Sequence, residues 1–392
     1  MSTVVPTPDA PHGSRERSLA TQTAARFTSN LAFRFIYPFL GPIARGAGTS
    51  IGTMGVILSI RDLVGLGAPV IGRAIDRGSQ RWWMVGSLVA MGLMCLLASA
   101  DFGIWSLAIA LIAIGTGKNG FDTAMTAWLG DNIAYAGRGR ITAMTELSWA
   151  GSLLIGAPLM GLLINARGWQ APFLVLGIAN LAMAAAIAAA MHHDGSHRSH
   201  DRVSGRFAIG DHLVFLVAIG ALTLGMQLVL ITYSTWLEDD FGLSVTGLGR
   251  TAIVLGVGEL IGTGLAIAVT DRIGKTASIV WGTIVMAPVF ALFGATSSAT
   301  VAIGLLAVGV LGFELSFISM LPLASELAVG ARGAALGVVF GVATLFRALG
   351  SLVGPSIYES SGMGAVGLTA TGCVLVTAVL IGRTDVEQRA RA

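Results

Sequence analysis

Apolar runs of roughly 20 residues follow one another along this chain, separated by short polar or glycine-bearing breaks, and about 20 apolar residues let a helix cross the hydrocarbon core of a bilayer. Each run therefore predicts a transmembrane helix. A membrane β-barrel would show short alternating strands instead, and none is visible. The pattern predicts twelve spans, at about 27–45, 51–72, 83–101, 104–130, 140–165, 170–190, 209–232, 246–269, 277–296, 299–322, 333–355 and 364–382. Residues 1 to 25 are polar, with Pro6, Pro11 and Gly13, and are expected to be disordered. No short apolar leader with a cleavage site precedes the first run. The first span carries a kink signal at Pro38-Phe39-Leu40-Gly41-Pro42.

Composition agrees with this pattern. The chain is 54% hydrophobic and 11% charged, far below the quarter of charged residues usual in a soluble domain. The 53 glycines suit close helix packing in lipid. Net charge is +3, but its placement says more than its size. Most Lys and Arg fall in one alternate set of loops and in the termini, the positive-inside pattern, which places both termini in the cytoplasm. The acidic stretch Glu238-Asp239-Asp240 is read as an external loop. No basic face with interleaved aromatics points to nucleic acid. Cys95 and Cys373 sit singly in apolar runs and read as small buried hydrophobes.

Residues 191–208 form the one long polar interior segment, with His192, His193, His197 and His200. It reads as a solvated cytoplasmic linker, since no cysteine or ordered scaffold supports a metal site. It divides the chain into residues 1–190 and 209–392. The halves also echo each other. Asp76-Arg77 and Asp271-Arg272 lie 195 residues apart, Asp62 and Glu259 lie 197 apart, and so do Pro158 and Pro355. Asp131 before Arg138-Gly139 matches Glu326 before Arg332-Gly333. Four matches in register predict two homologous six-span halves.

The loops that carry this repeat resemble the signature of the major facilitator superfamily of secondary transporters. That signature reads Gly-x-x-x-Asp-Arg/Lys-x-Gly-x-Arg/Lys-Arg/Lys after the second span, with a weaker copy after the eighth. The first copy here has Gly72, Asp76, Arg77 and Arg81, with its second glycine one place early at Gly78. The second has Asp271, Arg272, Gly274 and Lys275, with Ile267 in place of the leading glycine. The resemblance covers nearly the whole chain. It implies an all-α membrane protein of two six-helix bundles around a central cavity, working by alternating access. It also implies a cytoplasmic gate: Asp76 and Arg77 with Asp131 as partner of Arg77 or Arg81, and Asp271, Arg272 and Glu326 in the second half. Span 5 resembles the exporter pattern Gly-x-x-x-Gly-Pro-x-x-Gly-Gly in part. In the stretch Gly156-Ala157-Pro158-Leu159-Met160-Gly161-Leu162, Pro158 and Gly161 match, while Ala157 and Leu162 replace two glycines. Gly354 and Pro355 stand in the matching place of the second half.

The candidate chemistry lies in charges inside the apolar runs: Arg34, Arg61, Asp62, Lys118, Asp122, Glu146, Glu259, Glu314 and Arg347. A charge at mid-bilayer costs at least ~2.5–3.5 kcal/mol, so each is expected to face the bundle and pair. Lys118 and Asp122, four apart, share a helix face and can pair. Arg61 and Asp62 point about 100° apart and are expected to need separate partners. Each charge reads either as a buried structural pair or as a proton or substrate site. Arg34, Asp62, Lys118, Asp122, Glu259, Glu314 and Arg347 are the pathway candidates. Glu146 lies near the cytoplasmic edge, within reach of the loop arginines.

Catalytic motifs fail in context. Gly274-Lys275-Thr276 ends like a P-loop, but position 269 is Val and no strand precedes it. No nucleophile–base pair, cofactor site or metal cluster is apparent, so an enzyme is not expected. The expected function is proton-coupled export of small organic molecules, an antiport, by a monomer in the plasma (inner) membrane. The alternatives are proton-linked uptake of a nutrient or metabolite, and a non-transporting membrane receptor or assembly factor on the same scaffold.

Overall fold

The computed structural model describes residues 12–75, 78–133, 141, 145, 147–191, 209–326 and 332–383. Among these residues it is all helix and turn, with no strand. The first half contains α1 (His12–Arg34), α2 (Leu40–Gly46), α3 (Ile51–Val64), α4 (Ala68–Ile75), α5 (Gln80–Ser99), α6 (Ile104–Asn132), α7 (Leu147–Arg167) and α8 (Ala171–Ala190). The second contains α9 (Leu213–Phe241), α10 (Val245–Ile273), α11 (Lys275–Ala291), α12 (Ala299–Glu326) and α13 (Arg332–Gly382).

Nine described helices are long and apolar enough to cross a membrane, or ten if the bent pair Leu40–Gly46 and Ile51–Gly67 counts as one span. The predicted twelve is a larger number, for two reasons. α13 is two helices that meet at Gly362, whose φ of 72° is left-handed and ends the first of them, so the predicted spans 333–355 and 364–382 are counted together as one. α1 is too polar to pass as a span by hydropathy. It nevertheless starts at His12, inside the stretch expected to be disordered, and one face of it is packed away: Ser18, Gln22 and Ala25 are buried, with Gln22 Nε2 donating to Ser18 Oγ one turn back at 3.3 Å. The first span is therefore not 27–45. Its helix ends at Arg34, turns through Tyr37-Pro38 and resumes at Leu40.

Local signals set the helix ends. The side chains of Ser50, Ser79 and Ser244 cap α3, α5 and α10 by accepting from backbone N–H groups. Gly274, at φ 93°, is the whole connection between α10 and α11, so Asp271 and Arg272 lie in the last helical turn rather than in a loop. Glu238, Asp239 and Asp240 likewise lie in the last turn of α9, where an external loop was expected.

Within the first half, α5 packs against α6 and α8; within the second, α9 packs along α13, and α12 along α10 and α11. α3 and α13 meet across the halves, as do α7 and α10. α9 is the most enclosed span, 78% of its apolar window buried against 33% for α8, so α9 is central and α8 peripheral. Cys95 and Cys373 are both free thiols.

The halves touch closely at the end away from the signature loops. Gly55 abuts the Ser351 carbonyl and lies where a Cβ would sit 2.8 Å from Pro355 Cγ. In the repeat-related place, a Cβ on Gly249 would sit 3.3 Å from Pro158 Cα, and one on Gly161 3.2 Å from the Val245 carbonyl. Glycine at these points lets backbones of opposite halves approach. A Cβ on Gly156 would instead meet Leu31 within its own half, and one on Gly354 would meet Ile231. Toward the signature loops the picture changes: added Cβ atoms on Gly264 and Gly337 would meet nothing within 4 Å.

Candidate functional site

Two ion clusters hold the halves together at mid-depth. The first centres on Glu259 of α10. Arg34, at the end of α1, donates from Nη1 to Glu259 Oε2 at 3.2 Å and from Nη2 to Oε1, a bidentate pair between chain positions 225 residues apart. Nη1 also reaches the Trp149 carbonyl at 2.8 Å, and the guanidinium lies 4.0 Å from the centre of the Trp149 ring. α7 offers these groups because it opens into a π-helical turn over Ser152–Gly156, just before Pro158. A π turn displaces backbone groups from the regular ladder. Ser152 Oγ stands 3.5 Å from Arg34 Nη1.

Glu314 of α12 belongs to the same cluster. Thr263 Oγ1 donates to its Oε2 at 3.4 Å, and the charges acting on it are those of Glu259 and Arg34. Tyr233 of α9 is buried within reach of the same two charges. The guanidinium is bonded to Glu259, and Glu314 lies within electrostatic reach of both charges.

The second cluster centres on Asp62 of α3. Arg347 of α13 donates from Nε to Asp62 Oδ2 at 3.2 Å, and Arg61 Nη2 lies 3.3 Å from Oδ1. Adjacent residues were expected to need separate partners. The long Arg61 side chain instead curls back onto its neighbour while also donating to the Phe33 carbonyl at 3.0 Å and to Tyr37 Oη at 2.7 Å. It stacks 3.9 Å from the Phe33 ring centre. Gln227 Nε2 of α9 donates to Ser351 Oγ at 2.8 Å and lies 3.4 Å from Tyr37 Oη, extending the network across the halves. Here two guanidiniums serve one carboxylate.

A third group lies inside the first half. Lys118 and Asp122 pair along α6, and Arg26 Nε lies 3.6 Å from Asp122 Oδ1. Lys118 Nζ stands 6.0 Å from the Trp149 ring centre, so this group adjoins the Arg34 cluster.

Sequence reasoning singled out the charges but missed their uncharged partners. Thr263 follows Glu259 by one helical turn, and Gln227 is a lone amide in an apolar run; both spacings were visible. The π turn at Trp149 and Ser152 had no sequence signal beyond Pro158.

A sequence model of the Major Facilitator Superfamily matches residues 23–355. The chain belongs to the Major Facilitator Superfamily. It is therefore a secondary transporter rather than an enzyme. It is similar to two MFS-type transporters of Bacillus subtilis (strain 168). YwfA is 21% identical over 357 residues, covering 88% of this chain and 86% of that protein. YceJ is 26% identical over 147 residues, so that match spans only 36% of this chain and 37% of YceJ. Among solved structures, the fold is similar to a bacterial homologue of the human lysosomal transporter Spinster, in an inward-facing, occupied conformation. That match has a TM-score of 0.76 and 13% identity, and covers 97% of this chain and 98% of the other.

In this superfamily member, the signature residues are only partly described. Asp76, Arg77, Glu146, the linker histidines and the side chain of Glu326 lie outside the described residues. Asp131 accepts from Gln80 Nε2 at 2.6 Å. Arg81 donates to the Ala188 carbonyl and stands over the Trp82 ring. Gly72 packs toward Thr123 of α6. Asp271 and Arg272 are exposed, and Lys275 opens α11.

Proposed function

We propose that this transporter exports small organic molecules in exchange for protons. The observation that carries the reading is a three-residue charge set: Arg34 pairs with Glu259 across the halves, and Glu314, bonded to Thr263 on the same helix as Glu259, lies within electrostatic reach of both. With both carboxylates ionised, Arg34, Glu259 and Glu314 hold one negative charge too many, and the balancing positive charge stands in the adjoining group of Arg26 and Lys118 with Asp122. An ionised carboxylate in an apolar bundle costs at least ~2.5–3.5 kcal/mol. A proton bound to Glu314 removes that charge and leaves the Arg34–Glu259 pair intact. Loading and release at that carboxylate then changes the stability of contacts between the halves, which is what a coupled transporter needs. Asp122, a further candidate from the sequence, is paired with both Lys118 and Arg26, the arrangement of a structural cluster.

Residues 1–190 and 209–392 act as the two rocking bundles, joined by the linker 191–208, with both termini in the cytoplasm and the protein a monomer in the plasma membrane. The close packing at Gly55–Pro355 and Gly249–Pro158 then seals the outer side, and the cavity opens inward. In the opposite conformation Gly72, Asp76, Arg77, Arg81 and Asp131 close the cytoplasmic side with Asp271, Arg272, Lys275 and Glu326. Export is favoured by span 5, where Pro158 and Gly161 keep their places and lie against α10.

The test is steady-state accumulation of a panel of lipophilic dyes and drugs in cells with and without the protein, with a protonophore in parallel. Lower accumulation that the protonophore and Glu314→Gln each abolish is expected. Accumulation lowered equally with the protonophore present would sink proton coupling.

A further inference from the structure

A second polar site lies beyond the Gly55–Pro355 contact, at the end of the bundle away from the signature loops. There a cavity of about 590 Å³ opens between the halves. α2 and the start of α3 form one side of it, with Gly41, Arg45 and Ile51; α9 and α13 form the other. Its rim is acidic. Tyr358 Oη donates to Asp239 Oδ2 at 3.0 Å, and Trp236 Nε1 donates to Asp240 Oδ2 at 2.8 Å. Each of these carboxylates is thus held by one oxygen and presents the other. Glu359 makes no hydrogen bond or ion pair among the described residues and sits over the start of α3, where a Cβ on Gly52 would lie 3.5 Å from its Oε2. Among the described residues, Arg45 is the one cation that lines the cavity, and Glu238 engages it. Arg167 and Arg250, the other described cations toward this end, line no part of it and pair with none of its acids. Asp101, also at this end, accepts from Gln170.

The floor adds two oxygens that lack partners among the described residues. Thr235 is 5% exposed and its Oγ1 is unbonded, whereas Thr223 and Thr232 on the same helix donate back to backbone carbonyls. Glu238 uses Oε1 for Arg45 and leaves a buried Oε2 free. Both oxygens face the notch left by the missing side chain of Gly41. A Cβ there would stand 3.2 Å from Thr235 Oγ1, 2.7 Å from Glu238 Oε2 and 3.4 Å from Arg45 Nη1. A buried carboxylate oxygen without a donor is costly, so the notch suits a hydrogen-bond donor.

We propose that this cavity binds a linear polyamine from the outer side, and that the ligand ties the two halves together there. Asp239, Asp240 and Glu359 stand in excess of the Arg45–Glu238 pair and attract positive charge. They do not converge: among the described residues no three acidic, His or Cys groups are placed to hold one metal ion. The cavity is also many times the volume of a single ion. Separated carboxylates match separated ammonium groups, whose N–H donors also suit Thr235 Oγ1 and Glu238 Oε2. The methylenes between the ammonium groups lie against Ala44 and Ile51. Both halves build the cavity, so occupancy favours the arrangement in which this end is closed. The polyamine acts as a brake on the cycle rather than as cargo, at a site separate from Arg34, Glu259 and Glu314. That the brake works from outside the cell rests on the orientation proposed above; binding at the cavity does not.

The experiment is equilibrium dialysis of radiolabelled spermidine against the purified full-length protein in detergent, with protein-free micelles as blank. The buffer holds about 0.15 M salt, which screens charges more than about 8 Å apart. Saturable retention is expected, and equimolar magnesium or butylamine should not displace it. Glu359→Gln and Thr235→Val should each weaken it about ten-fold, the loss of one hydrogen bond to a charged group. Glu314→Gln should bind spermidine as the wild type does. Spermidine should also raise the melting temperature of the wild type but not of Glu359→Gln, since a ligand of the folded state stabilises it. Unchanged binding in both weakened variants, or displacement by equimolar magnesium, overturns the site in favour of general attraction to an acidic surface. Binding lost in a folded Glu314→Gln overturns it in favour of the central cavity. Retention without a rise in melting temperature overturns the tie between the halves. None of these outcomes bears on proton exchange, which the protonophore assay decides.

Discussion

Asp62 and Glu259 are the buried acids of the matching helices α3 and α10, 197 residues apart and so one helical turn off the 194-residue register of Gly55 and Gly249, and they sit in opposite electrostatic situations. Asp62 has a fully buried side chain and two arginines, one on its own helix and one across the interface. Glu259 pairs with the single Arg34, and a second carboxylate, Glu314, lies within electrostatic reach of both. The cation also comes from a different helix in each case: from α13 for Asp62, from α1 for Glu259. The repeat thus preserves the acid and the Gly–Pro contact but not the charge balance. An over-compensated carboxylate inside a bundle is held by its partners. An under-compensated pair of carboxylates has room for a proton. On the exchange proposed above, the difference gives a structural role to one cluster and coupling to the other.

The sharpest test of that difference removes each acid's charge in turn. Asp62→Asn leaves Arg61 and Arg347 without their carboxylate inside the bundle. Breaking a buried pair from one side costs about 3–5 kcal/mol, so the variant should lose most of its monodisperse protein on size-exclusion chromatography. Glu314→Gln removes a surplus charge and should keep a wild-type elution profile and melting temperature. If both variants behave alike, the two clusters are not different in kind. Second in size is function: Glu259→Gln should leave Arg34 competing for Glu314 and lower proton-dependent efflux by about ten-fold or more, equivalent to ~1.4 kcal/mol or more. Efflux at the wild-type rate would remove Glu259 from the coupling set.

Much of this was legible before any coordinates. Charges inside apolar runs are expensive, so each residue that survives there announces a partner; Arg34, Asp62, Glu259, Glu314 and Arg347 were all visible for that reason. The signature residues and the repeat offsets also carried the fold. The pairing itself was not legible, because Arg34 and Glu259 come from distant helices whose facing sides depend on packing. Arg61 was misjudged because the reach of a long side chain outweighs the 100° between neighbouring Cβ directions. The helix at His12 was missed because hydropathy registers lipid-facing surface, while that segment is polar and has one face packed away.

The Gly–Pro contacts extend the comparison beyond charge. Gly55 touches backbone of the opposite half more tightly than Gly249 does, since its added Cβ meets both the Ser351 carbonyl and Pro355, against 3.3 Å to Pro158 Cα for Gly249. Gly55→Ala should therefore destabilise the observed packing by roughly 1–3 kcal/mol, and Gly249→Ala by less. Cysteine pairs across each contact would report this as slower crosslinking. Equal crosslinking rates would mean that the two interfaces yield equally.

The smallest effect belongs to the end of the interface. Arg45 of α2 pairs with Glu238 of α9 across the halves, but more than half of the Arg45 side chain is exposed. Exposed pairs contribute about 0–1 kcal/mol, and salt screens them. Arg45→Ala should shift the melting temperature little, and the shift should vanish in high salt. Asp62→Asn should be nearly as damaging at high salt as at low, because the Arg61 it leaves behind is shielded from ions by the bundle, whereas Arg347 is about a third exposed. A salt-sensitive Asp62 variant would mean that water reaches that cluster, and the case for calling it purely structural would fail with it.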